Sequence, residues 1–260
     1  MSAADELFAA LELPPAAVVS VKITKKQLLA QKSPTAADKR QIRDGIESVR
    51  WIGSLKPQTV GIPGFTDDEA EYLELAVIQA KLKPSADSAR ISRTLHRAVP
   101  YPVLLITQSD DALVISVALK RRSRAQRDSF VLEGDGEVIS AEWSQPIEDP
   151  LWERFLEAFA LSKLPRTNLR ALYHGWLNAI VAVRAARQGS RFAIPASETE
   201  ANERLESLRA VERLSAEMAG LHSAAETTSQ KRRQVEINLK LAELRKDHRA
   251  ALERVKIGDD

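Results

Sequence analysis

The sequence contains no cysteine. This absence excludes disulfides, thiolate metal ligands and a thiol nucleophile, and it is typical of proteins from a reducing compartment. The amino terminus lacks the positive start and the apolar core of a secretory signal, and no apolar run approaches the roughly 18 residues that span a bilayer. We therefore expect a cytoplasmic protein without a membrane segment.

The sequence also has little excess of either charge, and it has few aromatic side chains. The chain carries 38 Lys and Arg against 36 Asp and Glu, so its net charge of +2 attracts neither nucleic acid nor an anionic membrane as a whole. Aromatic residues make up 5% of the chain, which leaves few rings that could stack on bases. Binding to nucleic acid would therefore have to come from a local patch.

The common catalytic motifs are missing as well. There is no phosphate-binding glycine loop, no dinucleotide-binding glycine pattern and no GxSxG elbow. The histidines His96, His174, His222 and His248 do not stand at metal-ligand spacing from one another. We therefore predict a protein that is not an enzyme and has no catalytic residue, cofactor or metal ion.

A metal-dependent nuclease is the weaker alternative. Nucleases of the restriction type hold a metal ion with acidic residues and a lysine at neighbouring strand ends. Residues 71–81 offer Glu71, Glu74 and Lys81 for such a site. However, Gln79 stands where an acidic residue would be needed, two positions before the lysine. We therefore interpret these residues as polar side chains on the open face of a strand.

The first part of the chain mixes helical and strand patterns. Apolar residues at spacings of three and four predict a helix over residues 36–55, and a short strand is predicted at 58–62. Residues 69–83 alternate between a mixed face and an apolar face, which predicts one long strand. Residues 84–99 return to helical spacing and predict a helix of about three turns.

Two hairpins are predicted next. The apolar runs on either side of residues 108–111 predict the first, and Asp135-Gly136 supplies the tight turn of the second, within residues 129–143. We therefore assign residues 1–146 to an α+β domain, in which an antiparallel sheet is covered by helices.

Beyond residue 146 the pattern is helical throughout. Residues 147–196 predict packed helices, and residues 197–257 predict a long coiled-coil helix or a helical hairpin. The apolar residues of this last region form two seams for pairing with another helix. The predicted seam residues are Val211, Leu214, Met218, Leu221, Ala225, Ile237, Leu241, Leu244, Ala251 and Val255.

The two seams do not share one heptad phase. Val211 and Ile237 are 26 residues apart, and the polar residues 226–234 lie where the phase breaks. The absence of the helix-breaking residues Gly and Pro at the break favours one continuous helix with a stutter. A hairpin that turns near residues 227–229 and pairs the two seams with each other is the alternative.

Two basic clusters are candidates for contact with nucleic-acid phosphates. One follows a predicted strand, and the other precedes the second seam. A basic zipper would need a longer basic helix before its first heptad, so the second cluster favours a self-pairing or partner-facing helix over a major-groove reader. The candidate contacts are Lys120, Arg121, Arg122, Arg124 and Arg127 in the first cluster and Lys231, Arg232 and Arg233 in the second.

Four segments carry a family resemblance. In chain order, VRWIGSLKPQTVGIP, HRAVPYPVLLIT, TNLRALYHGWLNAIV and QKRRQVEINLKLAELRK resemble a bacterial family of uncharacterised proteins known only as a domain of unknown function. The resemblance runs from about Pro15 to Leu252. The family motif IPYPILF corresponds to residues 99–105, and the motif NRKVELN corresponds to residues 232–238, where Gln234 replaces the usual lysine.

The resemblance implies a biological setting. Members of this family look like companions of helicases and DNA methyltransferases in bacterial genome-defence clusters. We therefore expect a non-catalytic accessory or scaffolding subunit of an anti-phage or restriction-like complex. Its partner would be a helicase subunit, a methyltransferase subunit or a second copy, bound through the coiled coil. Nucleic-acid binding through residues 120–127 is the alternative function.

Overall fold

The computed structural model describes residues 2–30, 35–84, 86–123, 130–133, 136–228 and 230–256. These residues form two compact units, Met1–Ile180 and Val181–Asp260, and each unit is described by itself. The domain boundaries predicted after residues 146 and 196 stay predictions.

The described residues of the first unit form both helices and strands. Its helices are α1 (Ala3–Ala10), α2 (Lys25–Ala30), α3 (Ala36–Gly45), α4 (Pro57–Val60), α5 (Ser88–Ala98), α6 (Trp152–Phe159) and α7 (Leu169–Arg187), the last of which continues into the second unit. Its strands are β1 (Val18–Ile23), β2 (Ile46–Leu55), β3 (Phe65–Thr66), β4 (Glu71–Tyr72), β5 (Leu75–Leu82), β6 (Val103–Gln108), β7 (Leu113–Val117), β8 (Lys120–Arg122), β9 (Phe130–Leu132) and β10 (Ile139–Trp143).

Six strands form the main sheet in the order β1-β2-β5-β6-β7-β10. The predicted combination of a sheet with covering helices is confirmed, and so are helix α5 and the β6–β7 hairpin. The purely antiparallel arrangement is wrong, because β5 and β6 are parallel, from Ala76 opposite Val103 to Lys81 opposite Gln108. Parallel neighbours need a crossover connection, and α5 supplies it. The sheet is therefore mixed.

Residues 46–55 form strand β2, so the helix predicted over 36–55 is correct only as far as Gly45. At that glycine an added Cβ would lie 2.9 Å from the Ile91 side chain, so α3 and α5 pack closely where α3 ends. In β2 the register shifts between Ile46 and Ser48 and again between Trp51 and Gly53. Such bulges insert extra residues, so buried positions of the strand fall three apart and imitate a helix.

Two further local predictions are wrong. Residues 57–60 form helix α4 in place of a strand, with proline in its first turn and Gly61 at a φ of 65° ending it. The predicted second hairpin does not form, because β9 pairs with β8 while β10 pairs with β7. Asp135, in the predicted turn, lies outside the described residues.

The core of this unit lies on both faces of the sheet. On one face, α2, α3 and α5 cover a cluster that includes Ile42, Ile78, Leu95 and Leu105. A chain of aromatic contacts links Trp143 to Phe155 at 4.5 Å between ring centroids, and Phe155 to Phe159 at 4.6 Å. These apolar contacts position the strands that carry the polar groups described below.

The second unit contains α8 (Glu198–Thr227) and α9 (Lys231–Val255), which pack against each other. The continuous helix is therefore wrong and the hairpin is correct. Lys240 Nζ lies 2.7 Å from Glu217 Oε1, and Ser215 Oγ lies 3.0 Å from His248 Nε2, as antiparallel helices require. Because each seam lies on its own helix, their different heptad phases cause no conflict.

Side chains satisfy the backbone where the hairpin turns. The Thr227 hydroxyl donates to the carbonyl of Ser223, and the Gln234 amide donates to the carbonyl of Thr228 at 3.0 Å. Thr228 itself is extended, with φ −89° and ψ 130°. Polar side chains that bond to the backbone can thus end a helix without Gly or Pro.

Spin labels on cysteines at positions 217 and 240 should report a short distance in solution. The chain has no native cysteine, so the double variant is labelled only at these two sites. Neighbouring helices lie about 10 Å apart, so we expect a label distance below about 20 Å by pulsed electron paramagnetic resonance. A distance near 35 Å, the length of about 23 residues of continuous helix, would contradict the hairpin.

No helix in the described part of the chain combines the length and the apolar character needed to cross a membrane.

Candidate functional site

Strand β1 is an exposed apolar edge of the main sheet. It pairs with β2 on one side, and no described strand pairs with its other side. Val18, Val19 and Val21 are 50%, 39% and 52% exposed. Edge strands of natural proteins are usually shortened, charged or covered, because their free N–H and C=O groups can pair with another chain. The apolar edge at β1 therefore marks a candidate binding surface.

A bulge explains why the three valines are all exposed. Val18 is opposite Gly53 and Val21 is opposite Trp51, so the register shifts between them. Ser20, within the bulge, has a φ of 53°. A bulge breaks the strict alternation of side chains along a strand. Neighbouring positions of β1 can therefore all reach solvent.

An apolar pocket of about 380 Å³ adjoins this edge. The Trp51 and Tyr101 rings are 6.3 Å apart between centroids, and the Trp51 indole N–H donates to the carbonyl of Gly53 at 2.7 Å, which orients its ring. Other residues that line the pocket include Val21, Ile23, Leu28 and Val99. We call the exposed valines and this pocket the β1 surface.

Lys120 holds the loop that carries Tyr101. This lysine is 4% exposed, and its ammonium group donates to the carbonyls of Val99 and Tyr101. The Val99 carbonyl follows the last turn of α5, where a positive charge is favourable. The structure thus places this predicted phosphate contact against backbone oxygen atoms, where it positions the Pro100-Tyr101-Pro102 segment.

The remaining predicted nucleic-acid contacts differ in their surroundings. Arg122 forms an ion pair with Glu71 at 3.0 Å, and Arg121 donates to the carbonyl of Arg122. Arg124 and Arg127 lie outside the described residues. In the second unit, Lys231, Arg232 and Arg233 are exposed at the start of α9, and Arg232 lies 3.4 Å from Glu236.

The three residues considered for a nuclease do not share a site. Glu71 pairs with Arg122. Glu74 is buried, accepts a hydrogen bond from Ser54 Oγ at 2.5 Å and lies 3.4 Å from Lys56 Nζ. Lys81 lies near the other end of β5, about 20 Å along the strand from Glu74. Among the described residues, no group of three or more His, Asp or Glu side chains could hold a metal ion.

The predicted seam residues are buried or partly buried in the second unit. The buried members are Val211, Ile237, Leu241, Leu244, Ala251 and Val255, and the partly buried ones are Leu214, Met218, Leu221 and Ala225. Large apolar side chains of α9 that stay exposed are Val235 at 58% and Leu239 at 64%. The seam residues therefore pack within the chain.

A buried histidine was missed by the sequence interpretation. His96 is fully buried on α5, and its Nε2 lies 3.0 Å from Ser116 Oγ. Burial, assisted by the nearby charge of Lys120, lowers the pKa of His96 to about 3, so the ring is neutral near pH 7. Its Nδ1 atom has no hydrogen-bond partner among the described residues. The sequence feature that indicates this burial is the spacing of four residues from Ser92, which places both side chains on the same face of the helix.

The chain was compared with protein families, curated proteins and solved structures. The family described as "Domain of unknown function (DUF4391)" matches residues 11–247. No curated protein and no solved structure matches the chain. The matched range includes the β1 surface, the Pro-Tyr-Pro segment and most of the α8–α9 hairpin. The chain therefore belongs to the DUF4391 family.

Proposed function

We propose that this protein is a non-catalytic accessory subunit that binds an extended segment of a partner protein by strand addition at β1. The observation that carries the proposal is the exposed valine edge beside the Trp51–Tyr101 pocket. A peptide strand on β1 would satisfy the backbone groups of that edge and insert a side chain into the pocket. Because the seam residues are buried or partly buried, β1 is a better supported interface than the predicted coiled coil.

The charge around β1 indicates the chemistry of the partner segment. Lys22 lines the pocket, and Lys26 follows on α2 with its side chain exposed. Arg50 lies opposite Lys22 on the paired strand β2. An extended segment in which apolar and acidic residues alternate would complement this surface in both respects.

A second copy of the chain is a poorer occupant of β1. Antiparallel pairing of two β1 strands would bring their Lys22 side chains and the neighbouring lysines close together. Like charges that face each other across strands are destabilising. We therefore assign the surface to a different protein.

Helicase and DNA methyltransferase subunits of a bacterial anti-phage or restriction-like complex are the first partners to test. The resemblance of the chain to its bacterial family supports this choice, because members of that family look like companions of such enzymes. In that complex, the protein would act as a scaffold that presents the β1 surface.

Lysine substitutions at β1 should weaken the complex at least tenfold. The Val19→Lys/Val21→Lys variant places two charges on the apolar edge, and about 1.4 kcal/mol of lost binding energy is a tenfold change in affinity. The measurement is the affinity for each co-expressed helicase or methyltransferase subunit, with hydrogen exchange at residues 18–23. In the wild-type complex, these amides should exchange more slowly than in the free protein.

The matched control is Val235→Lys/Leu239→Lys, which makes the same change on an exposed apolar pair of α9. We expect full binding by this control. Loss of binding in the control but not in the β1 variant would place the interface on the hairpin and contradict strand addition. A dimer that dissociates in the β1 variant would instead identify a second copy as the occupant.

A further inference from the structure

A second cavity, of about 300 Å³, is rich in positive charge. It is lined by residues of α5, β8 and β9, including Arg93, His96, Arg97, Lys120, Phe130 and Leu132. The described residues that line it include three cationic side chains and no acidic one. Cavities of this size lie at the lower end of the range for small-molecule sites.

The two arginines lie one helical turn apart on the exposed face of α5. Arg97 is 3.9 Å from Asp38, a weak ion pair, and Arg93 forms no ion pair within the described part of the chain. Like charges at this spacing destabilise a helix by a few tenths of a kcal/mol. A bound anion would remove this repulsion. The guanidinium groups are suited to phosphate, because each can donate two parallel hydrogen bonds to it.

Lys120 and His96 supply polar groups to the lining of the cavity. Lys120 is held there by two backbone carbonyls, and the buried His96 ring leaves its Nδ1 atom without a hydrogen-bond partner among the described residues. Buried polar atoms are almost always paired, with protein, water or ligand. Lys120 and His96 thus make this part of the cavity lining polar.

The wall of the cavity is apolar. Phe130, Val131 and Leu132 line it, and the guanidinium group of Arg122 lies 5.7 Å from the centroid of the Phe130 ring. A purely inorganic anion would leave this apolar surface unused. A ligand with a phosphate at one end and a flat ring at the other would use both parts of the cavity.

We propose that this cavity binds a nucleotide by its phosphate group, through Arg93 and Arg97, with the base against the Phe130 wall. The nucleotide is either free or the 5′-phosphorylated end of a nucleic-acid strand, and the phosphate recognition is the same in both cases. This site differs from the predicted basic cluster, because α5 supplies its two exposed cations and the wall is apolar. It does not depend on partner binding at β1.

Calorimetric titration of the full-length protein at low salt tests the proposal. The probes are AMP, inorganic phosphate and a short oligothymidylate with either a 5′-phosphate or a 5′-hydroxyl end. We expect AMP or the 5′-phosphorylated strand to bind more tightly than inorganic phosphate. Arg93→Ala/Arg97→Ala should weaken this binding about a hundredfold, or about tenfold for each guanidinium group lost.

The matched control is Arg40→Ala/Arg43→Ala, which removes two exposed arginines of α3 and should bind as the wild type does. Binding of AMP identifies a free nucleotide, and binding of the 5′-phosphorylated strand alone identifies a strand end. The proposal fails if no probe binds, if inorganic phosphate binds as tightly as AMP and the 5′-phosphorylated strand, or if the α5 and α3 variants behave alike. Without AMP binding, it also fails if the two strand ends bind equally. Circular dichroism of both variants separates lost binding from lost folding.

Discussion

Acidification from about pH 7 to about pH 4 should lower the free energy of unfolding by about 3 kcal/mol through His96 alone. In the folded protein, burial and the Lys120 charge hold the pKa of this histidine at about 3, below its ordinary value of 6.5. The unfolded chain therefore takes up a proton near pH 6.5, whereas the folded chain does so only near pH 3. The stability contributed by neutral His96 is complete above pH 6.5 and is lost progressively as the pH falls toward 3.

Urea unfolding at a series of pH values measures this effect. The His96→Gln variant cannot take up the proton, so its stability should depend less steeply on pH between about 6.5 and 3. The control His222→Gln removes an exposed histidine of α8 and should keep the wild-type slope. Equal slopes for the wild type and His96→Gln would show that another group causes the acid sensitivity.

Replacement of Lys120 by methionine should lower the free energy of unfolding by about 2–4 kcal/mol at neutral pH. Methionine keeps an unbranched apolar side chain but leaves the carbonyls of Val99 and Tyr101 without their ammonium donor. Each unsatisfied buried acceptor costs about 1–3 kcal/mol. Removal of the buried charge recovers part of this cost. The expected loss of stability is therefore smaller than the largest cost of leaving both carbonyls unsatisfied.

Denaturant unfolding of Lys120→Met, beside the exposed-site control Lys39→Met, tests this prediction. The variant should also lose less stability on acidification, because the charge of Lys120 helps to lower the pKa of His96. If Lys120→Met were as stable as Lys39→Met, the buried ammonium would contribute no net stability. The loop around Tyr101 would then be held by its prolines alone.

The local sequence pattern was sufficient to predict the secondary structure where neighbouring residues determine it. Helix α5 and the β6–β7 hairpin were predicted correctly, because their apolar spacing and turn residues lie within the same short segment. β2 was predicted as a helix because its bulges place buried residues three apart. The α8–α9 break was ambiguous for a similar reason, since threonine is compatible with a helix and can also end one.

The candidate sites depended more on distant contacts. The run of basic residues at 120–127 is visible in the sequence, but the contact of Lys120 with carbonyls about twenty residues earlier is not. The exposed edge at β1 was not predicted, because exposure of a strand depends on which strands lie beside it. His96 escaped notice because its burial requires α5 to pack across the sheet.

Composition and short-range spacing determine much of what this chain can be. Without cysteine, it can form no disulfide, and the helical character of its carboxyl-terminal part follows from the apolar repeats. Tertiary packing decided that β5 and β6 are parallel, that α8 and α9 pack against each other, and that Arg93, Arg97 and Lys120 line one cavity. The physical reason is range: spacing selects helix or strand within a few residues, whereas pairing and burial depend on contacts between distant segments.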